Sequence, residues 1–192
     1  MWKSKVSTRA GLNKFNEDRH QVNENKDRSI FVLADGMGGR SYGDLAAEIA
    51  VETICSSDWE LTDIEQSFLT AFEKADDAIA QKSEELHCKM GCAVGCLVIT
   101  DDELYYVGLG DIRLYAKDKE CKLLLLSTDN VICGKNGQTF LTRSLRGRGL
   151  RKPLNILQYP IGTFCSFSLC SDGYYKNDAD DDATNIDIQH HK

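Results

Sequence analysis

The stretch Phe31-Val32-Leu33-Ala34-Asp35-Gly36-Met37-Gly38-Gly39 is the strongest structural signal in the chain. A short apolar run ends on a carboxylate, and the glycines that follow let the backbone turn into a helix. This pattern is typical of a buried strand that presents an anionic side chain at the rim of a sheet. Asp35 offers oxygen to a hard cation, and Gly36 allows a backbone approach close enough for its carbonyl to join.

Length and composition favour one globular domain over residues 1–192. The chain is 42% hydrophobic and contains two prolines, which is typical of a folded protein with a sizeable core. Its net charge of -7 argues against nucleic acid as a main partner, because phosphate backbones need basic surfaces. No apolar run is long enough to cross a bilayer, so we expect no membrane segment.

The cysteines indicate a reducing compartment. There are eight, without a C-x-x-C pair, and residues 1–5 lack the apolar core of a signal peptide. We therefore expect free, mostly buried thiols and a cytoplasmic location. Cys88, Cys92 and Cys96 recur every four residues, but the apolar run around them favours a strand with small buried side chains rather than a metal or redox site.

Apolar periodicity predicts two helices between two groups of strands. The first helix is predicted to run from Asp44, as its N-cap, to Cys55, and the second starts near Thr62 or Asp63. The strands are predicted at residues 2–8, 19–22, 30–34, 92–99, 104–109, 112–116, 121–126, 165–170 and 183–188. The run from 92 to 126 suggests one antiparallel meander, and the whole order suggests a helix-covered antiparallel sandwich of the α+β class.

Carboxylates recur where predicted strands begin or end. They are Glu17, Asp18, Asp35, Asp111, Asp172, Asp181 and Asp182. A single Asp-Gly pair is also ordinary turn chemistry, so the whole set carries the argument. Clustered carboxylates repel one another unless cations neutralise them. Oxygen ligands alone suit Mg²⁺ or Mn²⁺ rather than zinc or copper, and two such ions can activate water against a phosphoryl group.

The order of these motifs resembles the metal-dependent serine/threonine protein phosphatases of type 2C, closest to the compact bacterial branch. The resemblance spans residues 5–188 and rests most on Asp35-Gly36-Met37-Gly38-Gly39. The other motifs are Asn16-Glu17-Asp18, Met90-Gly91-Cys92, Gly110-Asp111-Ile112-Arg113, Leu141-Thr142-Arg143-Ser144-Leu145, Ser171-Asp172-Gly173 and Asp181-Asp182-Ala183-Thr184.

Membership would imply a four-layer α-β-β-α sandwich, with two mostly antiparallel sheets flanked by helices and two Mn²⁺ or Mg²⁺ ions at one end. The resemblance implies that Asp35 bridges both ions and that the Gly36 carbonyl binds one of them. Asp172 and Asp181 would complete the centre. Asp111 would help to hold a third, weaker ion.

The resemblance also implies residues that act on water and on substrate. Glu17 and Asp18 would hold or orient metal-bound waters. The family usually has an arginine five residues before Asp18 that grips the substrate phosphate, but this chain has Asn13. Lys14, next to it, either substitutes as a point charge or is solvated in a loop. The implied reaction is attack of activated water on phosphoserine or phosphothreonine in a phosphorylated protein, opposing a serine/threonine kinase.

Two spacings depart from the family. The segment between Asp111 and Asp172 is short, which predicts a shortened flap. It holds a basic cluster that either docks acidic phosphopeptides or is a solvated loop; its members are Arg143, Arg146, Arg148, Arg151 and Lys152. The segment between Asp172 and Asp181 is also short, and Asp180 or Asp182 replaces Asp181 if the register slips.

Two other functions stay open on the sequence alone. Asn13 and the shortened flap favour a pseudophosphatase that binds phosphoproteins without turnover. An open site with few peptide contacts is instead compatible with hydrolysis of small phosphoesters.

Overall fold

The structure, a computed structural model, describes residues 2–12, 15–25, 27–37, 42–135 and 138–190. Its strands and helices follow one another as β1 (Trp2–Arg9), β2 (Asp18–Glu24), β3 (Ser29–Gly36), α1 (Gly43–Ser56), α2 (Ile64–Glu85), β4 (Cys92–Ile99), β5 (Glu103–Leu109), β6 (Arg113–Asp118), β7 (Leu123–Leu125), β8 (Val131–Cys133), β9 (Thr139–Leu141), β10 (Leu157–Pro160), β11 (Phe164–Cys170), α3 (Asp172–Tyr175) and β12 (Ala183–His190). Single 3-10 turns precede α2 and β11.

The strands form two antiparallel sheets that pack face to face. The first has the order β10-β5-β4-β3-β2 and the second the order β1-β12-β11-β6-β7, while β8 and β9 pair in a separate hairpin. Side chains on successive residues of a strand point to opposite faces. Phe31 and Leu33 of β3 therefore lie in the core between the sheets, whereas Val32 and Ala34 face the helices. Burial on both faces explains why this strand is a continuous apolar run.

Helices α1 and α2 cover the outer face of the first sheet. α1 packs on β2, β3 and β4, and α2 packs on α1. Apolar residues recur along α2 at a helical spacing that predicts one buried stripe: Ile64, Phe68, Phe72, Ala75 and Ile79. The last four are fully buried and Ile64 is partly buried. Burial of each large apolar side chain contributes roughly 2–3 kcal/mol, which holds this layer against the sheet.

The outer face of the second sheet carries little helix. Within the described residues its helical contact is the single turn α3, which touches β12. The α+β sandwich of two antiparallel sheets is confirmed, and its fourth layer is reduced to this turn. The reason is chain length, because the short connection from Asp172 to β12 leaves no room for a longer helix.

The predicted meander from residue 92 to residue 126 is wrong. β4 and β5 pair in the first sheet, whereas β6 and β7 pair in the second. The chain changes sheets at Gly110, which has a φ of +109° and lies so close to β4 that a Cβ would come within 2.5 Å of the Ala93 Cβ. Alternating burial reveals the faces of a strand but not the sheet to which it belongs.

The two predicted helix starts have different outcomes. The predicted start of α2 near Thr62 or Asp63 is confirmed, since Asp63 is its N-cap and accepts a hydrogen bond from the Gln66 backbone N–H at 3.2 Å. The predicted cap of α1 by Asp44 is wrong. The N-cap is Tyr42, in the left-handed region and without a side-chain cap. Asp44 lies in the first turn and pairs with Arg19 at 3.4 Å.

All eight cysteines are free, as expected, but the expectation that most are buried is wrong, since Cys121, Cys133 and Cys165 are exposed and Cys88 is partly exposed. Cys92 and Cys96 are fully buried on β4, and burial raises the pKa of both thiols. Among the described residues, no helix is both long and apolar enough to span a membrane.

Candidate metal centre

The predicted carboxylates come from both sheets and meet at one end of the sandwich. Asp18 and Asp35 are direct cross-strand partners at the ends of β2 and β3. Asp111 lies where the chain passes from β5 to β6, and Asp172 and Asp181 follow β11 and precede β12. They surround a cavity of about 230 Å³ whose lining is Glu17, Asp35, Gly36, Met37, Ala93, Asp111, Leu141, Asp172, Asp181 and Asp182.

Most of the predicted metal ligands line this cavity directly. Asp18 is the exception, since it lies behind Asp35 and is only 6% exposed. Asn13 and Lys14, for which a phosphate-binding role is predicted, lie outside the described residues. Ligation by any of the lining groups stays a prediction.

Asp35 is a deeply buried carboxyl with other carboxylates around it. Burial raises the pKa of its carboxyl well above the ordinary range, and repulsion from Asp18, Asp172, Asp111 and Asp181 adds to the effect. An isolated anion in this position is costly unless positive charge compensates it. A cation in the cavity would therefore stabilise the ionised Asp35 side chain.

One carboxylate oxygen of Asp18 accepts a hydrogen bond from a side chain, and the other has no hydrogen-bond partner. Its Oδ2 accepts a hydrogen bond from the Ser171 hydroxyl at 2.8 Å. Its Oδ1 is buried without any hydrogen-bond partner. Burial raises the pKa of Asp18 to about 6, although hydrogen bonds from Thr184 and Ser171 oppose this shift. A buried, unsatisfied carboxylate oxygen is uncommon and indicates a missing water or ion.

The remaining strand-end carboxylates also resist ionisation. Burial, with repulsion from Asp172, raises the pKa of both Asp111 and Asp181 to about 6. Asp172 itself has a cationic neighbour, since the Lys176 Nζ lies 2.6 Å from its Oδ2. The Lys176 ammonium group is thus a local counter-charge to Asp172.

Asp182 holds the loop before β2. It is 4% exposed and accepts hydrogen bonds from the backbone N–H groups of Gly11 at 2.8 Å and Glu17 at 2.7 Å, and it also lines the acidic cavity. Asp181 is the neighbour whose carboxyl approaches Asp172, and Asp180 is exposed. Metal ligation by Asp181 stays a prediction, whereas the hydrogen bonds of Asp182 give it a positioning role that the sequence did not reveal.

The donor set suits a hard divalent cation in its chemistry. Among the described residues that line the cavity, every charged side chain is a carboxylate, and the buried Oδ1 of the neighbouring Asp18 has no hydrogen-bond partner. In the parts of the chain that the structure describes, no three Asp, Glu, His or Cys side chains converge closely enough to hold an ion as they stand. The residues fit Mg²⁺ or Mn²⁺, and binding would require the carboxylates to draw inwards.

Asp76 was missed by sequence reasoning. It lies on α2, is 2% exposed, and accepts hydrogen bonds at 2.7–2.8 Å from four successive backbone N–H groups of residues 146–149. The available signal was a charged residue on the buried stripe, one helical turn after Phe72. Through these hydrogen bonds, Asp76 holds the backbone of the loop that carries Arg146 and Arg148, two members of the predicted basic cluster.

The comparisons with known proteins agree with this fold and site. A sequence model described as protein phosphatase 2C matches residues 8–188. The serine/threonine phosphatase stp of Listeria monocytogenes is 28% identical over 189 residues, which cover 86% of this chain and 74% of that protein. The chain therefore belongs to the protein phosphatase 2C family. It is a protein phosphatase by class, and no comparison supports the pseudophosphatase alternative.

Solved structures show the same fold. The serine/threonine phosphatase Stp1 from Staphylococcus aureus has a TM-score of 0.85 at 16% identity, covering 100% of this chain and 96% of that one. The catalytic domain of the serine/threonine protein phosphatase PstP, in complex with two manganese ions, has a TM-score of 0.79 at 19% identity, covering 98% and 97%. Binding of two manganese ions is thus a property of a structural neighbour.

Proposed function

We propose that this chain, as a single domain over residues 1–192, hydrolyses phosphoserine and phosphothreonine in proteins with the help of two Mn²⁺ or Mg²⁺ ions. The observation that carries the proposal is the convergence of carboxylates from both sheets on one cavity, in a chain that matches the protein phosphatase 2C family over residues 8–188. The products are a free side-chain hydroxyl and inorganic phosphate.

The proposed ligands are the carboxylates that line the cavity. Asp35, the Gly36 carbonyl, Asp172 and Asp181 would hold the two ions, and Asp111 would contribute to a third. When bound, the ions supply a lowered pKa for water and positive charge beside the phosphoryl oxygens. The carboxylate oxygens that line the cavity support this assignment.

Asp18 and Glu17 would orient water rather than carry the ions. The hydroxyl of Ser171 fixes one Asp18 oxygen, which leaves Oδ1 to accept a hydrogen bond from water. The Glu17 backbone is tied to Asp182, and its carboxylate lies close to Gly43 at the start of α1. A carboxylate with one anchored oxygen and one available oxygen is suited to directing a water in line with the phosphoester.

Substrate phosphate would be bound by Lys14 in the absence of the family's arginine. The substrate class is a phosphorylated protein, and its producer would be a serine/threonine kinase in the same compartment, the cytoplasm. These assignments rest on the names of the relatives and on the reactivity expected of the centre. A strain lacking the chain should accumulate phosphoserine and phosphothreonine on cytoplasmic proteins, as measured by phosphoproteomics.

The direct test is turnover of a phosphothreonine peptide by the purified chain with Mn²⁺. We expect release of phosphate that EDTA abolishes and that Asp35→Asn and Asp172→Asn reduce to background. Asp101→Asn is the matched control, because Asp101 is exposed in the β4–β5 turn at the far end of the sheet. Tight binding of the peptide without any metal-dependent release would contradict the proposal and favour a binding module.

A further inference from the structure

A second cavity, with basic walls, lies beside the metal centre. It has a volume of about 310 Å³, and all five members of the basic cluster line it, with Asp76 and Leu109 among its other residues. The concentration of cations is unusual in a chain whose net charge is -7. The cavity does not take part in the chemistry described above, so it needs an explanation of its own.

The backbone of residues 146–149, beside the basic cavity, is held in place by hydrogen bonds and by packing against α2. The two oxygens of Asp76 accept hydrogen bonds from the four backbone N–H groups of residues 146–149. Gly147 has a φ of +67° and packs against Ala80 of α2, with a hypothetical Cβ only 2.5 Å from the Ala80 Cα. A loop held in this way presents its side chains from a defined position.

Two arginines of the basic cavity have side chains without an acidic partner in the described parts of the chain. No ion pair there involves Arg148 or Arg151. Arg143 and Arg146 donate to the backbone oxygens of Lys152 and Leu141. Arg148 and Arg151 are exposed, and within the described residues their guanidinium groups make no hydrogen bond. Their guanidinium groups are available to a ligand, and guanidinium binds carboxylate or phosphate through paired donors.

The two cavities share a wall. Leu141 lines the acidic cavity, and the next residues, Thr142 to Ser144, line the basic one. On the other side, a Cβ at Gly91 would lie 2.3 Å from the Met37 Cε and 3.1 Å from the Arg146 Cγ, so Met37 and Arg146 are near neighbours. Met37 lines the acidic cavity. A single ligand therefore has to span only a short distance to occupy both cavities.

We propose that the basic cavity is a docking subsite for acidic side chains of the protein substrate that flank its phosphorylated residue. This inference rests on the proposed function. The overall negative charge of the chain repels acidic proteins, and a local basic surface beside the metal centre reverses that repulsion where substrate must approach. An aspartate, a glutamate or a second phosphorylated residue offers the anionic group that the arginines fit.

The test compares two phosphothreonine peptides of equal length, one with Asp and Glu flanks and one with Asn and Gln in their place. The wild-type chain with Mn²⁺ should have a kcat/KM about fivefold higher for the acidic peptide at low salt, mainly through KM, and the preference should shrink as salt screens the charges. The double variant Arg148→Ala with Arg151→Ala should lose the preference. Its turnover of p-nitrophenyl phosphate should not change, which also shows that it is folded.

The matched control is Lys117→Ala with Lys119→Ala, which removes the same charge from exposed positions near the β6–β7 turn. This control should keep the preference. Equal losses in both double variants, or no preference in the wild type, would overturn the proposal, as would equally tight binding of a single-stranded oligonucleotide of the same charge. Failure of the proposed function is distinguishable, because p-nitrophenyl phosphate and both peptides would then stay intact while anisotropy still reports whether the acidic peptide binds.

Discussion

At the scale of single residues, Asp76 connects a helix to a loop that is distant in sequence. Its carboxylate accepts four backbone hydrogen bonds and is almost completely buried. Asp76→Ala would leave four partly buried backbone donors without their shared acceptor, so we expect the free energy of unfolding to fall by about 3–5 kcal/mol. Chemical denaturation monitored by circular dichroism measures this change.

The adjacent Asp77 provides the control for this prediction. It is exposed on the same helix, so Asp77→Ala should change the stability by no more than about 0.5 kcal/mol. If the two variants were equally stable, the hydrogen bonds of Asp76 would have little net value, and the basic cavity would not depend on them.

Asp182 anchors the loop that leads from β1 to β2. Asp182→Ala removes the acceptor for the backbone N–H groups of Gly11 and Glu17, and we expect a loss of about 1–3 kcal/mol in thermal or chemical unfolding. Asp180→Ala removes an exposed carboxylate two residues away and should be nearly neutral. A larger effect at Asp180 would contradict the positioning role of Asp182.

Asp76 and Asp182 are examples of residues whose roles could not be predicted from the sequence. The carboxylates at strand ends could be predicted, because an apolar run followed by Asp-Gly has a local pattern. Asp76 and Asp182 act on backbone N–H groups far away in the chain, and no spacing in the sequence reports such a contact. Predicting them required the tertiary structure.

At the scale of secondary-structure elements, Gly36 determines how β3 meets α1. A Cβ at this position would lie 2.4 Å from the Gly43 carbonyl carbon and 2.5 Å from its oxygen, and backbone atoms cannot move aside as a flexible side chain can. We expect Gly36→Ala to lower the free energy of unfolding by about 1–3 kcal/mol. It should also weaken Mn²⁺ binding, as measured by calorimetric titration.

Gly162 is a suitable comparison, since a Cβ there meets nothing within 4 Å. Gly162→Ala should leave metal binding unchanged and the stability equal or slightly higher, because alanine reduces the freedom of the unfolded chain. Normal metal binding in a stable Gly36→Ala variant would show that the close approach of β3 and α1 is not required for the site.

The elements themselves were predictable to a large extent, but their partners were not. The residue spacing of α2 and the continuous apolar run of β3 follow directly from burial on one stripe or on two faces. The assignment of β5 and β6 to different sheets depends on the turn at Gly110, where the chain crosses the sandwich. A hairpin within one sheet would have the same alternation, so the sequence pattern cannot separate the two arrangements.

At the scale of the whole molecule, repulsion among the carboxylates of the acidic cavity lowers the free energy of unfolding as long as no cation is bound. Asp35 is repelled by four other carboxylates and desolvated by the fold. We therefore expect Asp35→Asn to raise the melting temperature of the chain in EDTA, because it removes the charge at the centre of the repulsion and keeps the shape of the side chain. Differential scanning calorimetry of both proteins in EDTA makes the comparison.

We expect Mn²⁺ to reverse the order of the two melting temperatures, so that the wild type becomes more stable than Asp35→Asn. A ligand that binds only the folded state stabilises it by about 2.7 kcal/mol at a hundredfold excess over Kd, so the wild type should gain several degrees while Asp35→Asn gains almost none. Asp101→Asn should follow the wild type in both conditions, since its carboxylate is exposed at the opposite end of the sheet. An Asp35→Asn protein that is less stable than the wild type in EDTA, and that still responds to Mn²⁺, would mean that the fold balances these carboxylates without a cation.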